Sequence, residues 1–172
     1  MKDIGIRGHL WDIEEPSAAA CLIHGVAGHA GRFERMAEIM NKAGIAVAAI
    51  DLPGHGLSEG VPGDCAPRDL LLACVSKLIL WTSFRYPGIP LTLYGHSMGG
   101  GIVLEYRERG DLNDIPDKYI ASAPWLLLVH KVPMSLYLTV RTAAAVSPKH
   151  VFSAEIEPER LGNIRFTGDY LK

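Results

Sequence analysis

Between Leu91 and Gly100 the chain reads LTLYGHSMGG, and no other stretch restricts its fold so tightly. A short apolar run stops at Gly95-His96-Ser97-Met98-Gly99, and a helical pattern starts at once. This is the layout of a strand entering a helix through a sharp turn with a serine at the apex, a nucleophile elbow. The apex residue takes strained backbone angles, so its neighbours need little side-chain bulk. Gly95 and Gly99 meet that need. The turn holds the hydroxyl clear of the sheet, open to a substrate and to a histidine base. Ser97 is therefore the candidate catalytic nucleophile. A glycine-rich turn can contain serine without chemistry; the strand before and the helix after favour the catalytic reading.

The other strands are apolar throughout. Ala19 to His24, Ile45 to Ile50 and Tyr119 to Ala123 join Leu91 to Tyr94 as predicted strands, with helical patterns between them. Continuously apolar strands alternating with helices imply a mostly parallel sheet covered on both faces, a doubly wound α/β fold. Gly5 to Ile13 alternates more and reads as an antiparallel edge. Phe33, Met36, Ala37 and Met40 recur at helical spacing, and Gly44 stops that helix. A second helix is expected from about Pro67 to Arg85, with Leu71, Cys74, Val75, Leu78 and Trp81 as its apolar stripe. A third runs from Ser97 to near Gly110, with Ile102, Val103 and Tyr106 on one face.

After Pro124 the character changes. Residues 125–129 are strongly apolar, and Val132 to Val146 reads as an amphipathic helix with few charges. Two readings stand side by side, a cap over a greasy pocket and an ordinary core helix, because periodicity does not separate them.

Composition narrows the class. The 172 residues are 48% apolar and 21% charged, as in a single globular domain, with a formal net charge of −2. No basic excess points to nucleic acid. No run of about 18 apolar residues points to a membrane span. MKDIGIRGHLWD carries no apolar core of a secretory signal, so a cytoplasmic protein is expected. Cys21, Cys65 and Cys74 are odd in number and lack C-x-x-C spacing; they read as reduced thiols, Cys21 and Cys74 buried. That setting argues against a Cys65–Cys74 bridge. No set of His, Cys and Asp has metal-ligand spacing, so no metal is expected.

Two loops after early strands complete the pattern. His24-Gly25-Val26-Ala27-Gly28-His29-Ala30-Gly31-Arg32-Phe33 can turn backbone N–H groups inward. In the elbow architecture the oxyanion hole takes one donor from the residue after the nucleophile and one from this early loop. That assigns the N–H groups of Met98 and Val26. Asp51-Leu52-Pro53-Gly54-His55-Gly56-Leu57-Ser58 forms a tight loop near the elbow and reads as architectural, with His24 and His55 as loop-fixing histidines.

HGVAGHAGRF (24–33), DLPGHGLSEG (51–60), YPGIPLTLYGHSMGG (86–100) and SAPWLLL (122–128) together resemble the α/β-hydrolase superfamily, specifically its monoacylglycerol lipase and lysophospholipase-like branch, grouped with the serine aminopeptidases. The resemblance covers nearly the whole chain. It implies ester hydrolysis through an acyl-enzyme on Ser97, no cofactor, a monoacylglycerol or lysophospholipid-type substrate, and a helical cap after the strand ending near Ala123. Residues 1–124 then form the N-terminal portion of the hydrolase core and 125–172 the start of the cap.

One departure follows. In this fold the triad runs Ser, then Asp or Glu, then His. Only His130 and His150 follow Ser97, and Asp111, Asp114 and Asp117 are the nearby acids. The expectation is an N-terminal portion of a longer hydrolase, inactive alone because the triad acid and base are missing. A parallel sheet cut at this point leaves an unpaired edge, so self-association or a companion C-terminal fragment is expected. The competing readings are a non-enzymatic protein of the same fold that binds a hydrophobic ligand, and a small-ester hydrolase or peptidase.

Overall fold

A computed structural model describes residues 4–64, 66–126 and 133–147. The chain divides into two units, Met1–Val129 and His130–Lys172, and each is considered by itself.

The first unit is a five-stranded sheet of β1 (Gly8–Trp11), β2 (Ala18–Ile23), β3 (Ile45–Ile50), β4 (Leu91–His96) and β5 (Lys118–Ser122), in the order β1-β3-β2-β4-β5. β2 to β5 run parallel, and β1 pairs antiparallel with β3, Gly8 opposite Ile50. The edge strand expected between Gly5 and Ile13 is thus present but shorter. β4 runs two residues beyond the apolar run, because Gly95 and His96 still pair with Ala121 and Ser122.

Alternation along the strands explains why both faces are covered. Ala19, Cys21, Ile23, Ala46, Ala48, Ile50, Leu91 and Leu93 face α2 (Arg68–Arg85) and α3 (Met98–Arg109). Ala20, Leu22, Val47 and Ala49 face a 3-10 turn (Ala30–Phe33) and α1 (Glu34–Lys42). A strand buried on both sides has no polar face to show, hence the unbroken apolar runs.

The stripe expected on α2 holds for Leu71, Cys74, Val75 and Leu78, but not for Trp81, which is 47% exposed. Ile79 and Thr82 take the inward positions instead. Apolar residues surround α2 on every side, so hydropathy alone does not fix its rotation. Cys21 and Cys74 are buried free thiols, and Cys65 lies outside the described residues. Among the described residues no helix is long and apolar enough to cross a membrane.

In the second unit α4 (Met134–Val146) is a helix, as its spacing predicts, with Tyr137 N–H bonded to Pro133 O at 3.0 Å. Of the expected cap, residues 127–132 and 148–172, His130 and His150 among them, lie outside the described residues.

Candidate active site

Four parallel strands deliver their C-terminal ends to one edge of the sheet, where ligands of such sheets bind. The loops after β2, β3, β4 and β5 therefore meet there.

Ser97 forms the turn between β4 and α3, with φ 55° and ψ −118°. This left-handed conformation is rare and costly for an L-residue. Its surroundings hold it. Ser97 N–H donates to Ser122 O at 2.9 Å, and Ser97 O accepts from Trp125 N–H at 3.0 Å and Gly101 N–H at 3.1 Å. The sequence gives no hint that the residues after β5 clamp the turn. The glycines have separate reasons. A Cβ on Gly99 would run into the carbonyl oxygens of Ile23 and His24, and one on Gly95 into Gly99 O. Helix and strand backbones touch at these positions, so no side chain fits.

Gly25 stands directly over the serine. A Cβ there would lie 3.1 Å from Ser97 Cβ and 3.6 Å from Ser97 Oγ. Val26 follows in the loop after β2, and Met98 opens α3, where helix geometry leaves its N–H without an intrahelical acceptor. The fold thus brings Ser97, Met98 and the Gly25–Val26 segment to one place. Among the described residues the Ser97 hydroxyl has no hydrogen-bond partner, and His96 instead faces Ser122 Oγ at 3.4 Å.

The Gly25 loop is fixed from beneath. His24 is 3% exposed; its Nε2 accepts from Leu52 N–H at 2.9 Å and its Nδ1 contacts Gly25 O at 2.8 Å. Burial holds its pKa below the usual 6.5, against the opposing pull of the Gly25 carbonyl. His55 stacks obliquely on it, ring centres 5.2 Å apart, and bonds Pro53 O through Nδ1. Both histidines join loops, as their sequence setting suggests.

Asp51, 1% exposed, is the residue that sequence reasoning undervalued. Its Oδ1 accepts from Ala30 N–H at 2.7 Å and its Oδ2 from Leu57 N–H at 2.8 Å, with His9 Nε2 at 3.3 Å. Burial pushes this carboxyl up, but the two amides and His9 outweigh it and leave the pKa below the usual 3.8. Gly56 must be glycine here: a Cβ would run into the Asp51 carboxylate. Only the adjacent Gly54-His55-Gly56 could have hinted at such a cradle.

Asp117 clamps the far end of β4, its Oδ2 accepting from Leu91 N–H at 2.8 Å. Asp111 and Asp114 belong to the same connection between α3 and β5. That connection enters β5 at the sheet edge opposite Ser97, so none of the three carboxylates reaches the serine. Among the described residues no three His, Cys, Asp or Glu side chains cluster as metal ligands would.

Beside the elbow lies an open cavity of about 580 Å³, walled by Leu71, Leu72, Met98, Ile102, Trp125 and Leu126. Arg68 and Glu105 pair at 2.7 Å on its rim. A larger cavity, of about 730 Å³, is formed by residues 12–16, 85–87 and 89 at the opposite edge of the sheet.

A family model described as serine aminopeptidase, S33 matches residues 14–164. The chain belongs to this family. It is an α/β-hydrolase of the monoacylglycerol lipase-like branch of S33 proteins. Monoacylglycerol lipase of Mycolicibacterium smegmatis is 36% identical over 95 residues, covering 55% of this chain and 34% of the relative. Human monoglyceride lipase is 35% identical over 89 residues, covering 52% and 29%. The matched segment of the chain thus spans about a third of the length of these two relatives. A crystal structure of Paleococcus ferrophilus monoacylglycerol lipase superposes with a TM-score of 0.74 at 26% identity, covering 98% of this chain and 63% of that one.

Proposed function

We propose that Ser97 is the nucleophile of a carboxylic-ester hydrolase acting on monoacylglycerol or lysophospholipid-type esters. The observation that carries this is the left-handed Ser97 at the β4–α3 turn, wedged by Gly95 and Gly99 beneath the Gly25 loop. Ser97 Oγ attacks the ester carbonyl carbon and yields its proton to a histidine base. The carbonyl oxygen becomes an oxyanion held by the N–H groups of Val26 and Met98. Collapse breaks the bond to the alcohol, which leaves with the proton, and water then releases the fatty acid from Ser97. Each oxyanion donor contributes on the order of 3 kcal/mol in such sites. The base and its acid are those that follow the elbow in chain order, and they are not among the residues placed around Ser97. No cofactor takes part. The apolar walls of the 580 Å³ cavity suit an acyl chain.

A fluorophosphonate probe and a series of nitrophenyl esters test this reading. In the hydrolase completed by its triad acid and base, Ser97→Ala is expected to abolish labelling and to cut hydrolysis by roughly a thousandfold or more. Hydrolysis surviving in Ser97→Ala removes the proposal. A preference for acetyl over longer acyl groups would favour a small-ester hydrolase. Labelling of the 172-residue chain reports directly whether its own residues include the base.

Two further proposals accompany this one. The free thiols Cys21 and Cys74 support a reducing, cytoplasmic setting. β5 ends the sheet among the described residues, and its open parallel edge supports association with a second copy or a companion fragment. Sedimentation and intact mass distinguish these from a monomer.

A further inference from the structure

The peptide between Gly25 and Val26 is anchored by its carbonyl. Gly25 O accepts from Gly28 N–H at 3.1 Å, closing a turn whose third residue, Ala27, has φ 53°. It also lies 2.8 Å from His24 Nδ1. The proton on that imidazole is assigned by its other nitrogen. Nε2 receives Leu52 N–H at 2.9 Å, so it must offer a lone pair, and the hydrogen sits on Nδ1. Nδ1–H therefore donates to Gly25 O.

A planar trans peptide points its carbonyl and its N–H in opposite directions. Holding the Gly25 carbonyl against His24 and Gly28 turns the Val26 N–H away from both. The same glycine presents its Cα face to Ser97, 3.1 Å from the serine Cβ by the position a Cβ would take. We propose that His24 is a positioning residue for chemistry at Ser97: its Nδ1–H fixes the Gly25 carbonyl and thereby aims the Val26 N–H. This rests on the assignment of Val26 as an oxyanion donor. His24 touches no substrate; it acts through the peptide plane.

The two bonds of the ring can be removed separately. Asparagine places an N–H donor near the Nδ1 position and nothing near Nε2. Glutamine places a carbonyl oxygen near the Nε2 position and nothing near Nδ1. In the hydrolase completed by its triad acid and base, His24→Asn is expected to keep kcat on a nitrophenyl ester within about threefold of wild type. His24→Gln is expected to lower kcat about 30- to 100-fold with KM within twofold, since one oxyanion donor is misdirected. The affinity for a trifluoromethyl ketone should fall by the same factor as kcat. If His24 only ties the two loops together, glutamine is the benign change and asparagine the harmful one; that order overturns the proposal. Crystal structures of both variants give a readout independent of turnover. The Gly25–Val26 peptide should rotate in His24→Gln and stay in His24→Asn, and an unmoved peptide in His24→Gln also overturns the proposal. Hydrolysis that survives Ser97→Ala sinks the catalytic assignment alone, leaving the peptide rotation to decide the role of His24.

Discussion

At Ser97 the backbone is held in a conformation that costs an L-residue on the order of 1–3 kcal/mol. Ser97→Gly should recover part of this and raise stability by about 1 kcal/mol in urea unfolding. No gain would mean that the clamp by Ser122, Trp125 and Gly101 stabilises the serine as well as the glycine. Gly99→Ala acts the other way. Its methyl meets backbone oxygens of Ile23 and His24, which cannot move aside, so a loss near the upper end of 1–3 kcal/mol is expected. At this scale much was legible in the sequence. Small residues around a serine imply close backbone approach, and the structure supplies the atoms. Trp81 was not legible: α2 is apolar all round, and its inward face follows from packing against α3 and the sheet.

Among the elements, the strands were readable because burial on both faces leaves an unbroken apolar run. The loops between them were readable only as glycine-rich turns. The work of Asp51 consists of bonds from its carboxylate to backbone amides of Ala30 and Leu57, and an amide carries no residue identity to read. A similar side-chain tie joins the helices. Tyr106 is fully buried, and its hydroxyl bonds Ser76 Oγ of α2 at 2.8 Å and accepts from Leu112 N–H at 3.3 Å. Tyr106→Phe leaves both groups short of a partner and should cost about 1–2 kcal/mol, measured by urea midpoint. A loss below 0.5 kcal/mol would show that Ser76 and Leu112 find water instead.

For the whole molecule, acid is the informative variable. His24 has a folded pKa below 6.5, so the unfolded chain takes up this proton first as pH falls. Its contribution to stability is therefore complete above about pH 6.5 and is lost on the way down to the folded value. Asp51 acts with the same sign in a lower window, beginning near 3.8 and ending at its depressed folded value. Unfolding free energy should be flat near neutrality, decline from pH 6.5, and decline again below 4. In His24→Gln, which does not titrate, the first decline should shrink; an unchanged slope between pH 6.5 and 5 assigns it to other groups. The pairing of these windows was hidden in the sequence, since His24 and Asp51 meet only through the adjacency of β2 and β3.

Cys21 lies on β2, next to the sheet's central axis, with its sulfur against Thr82 Oγ1 at 3.2 Å. Burial, partly opposed by that hydroxyl, pushes its thiol up to about 12. Only the thiolate reacts with alkylating reagents. With Cys65 and Cys74 replaced by alanine, Cys21 becomes an intrinsic clock: the rate at which iodoacetamide consumes it records how often the innermost strand is laid bare.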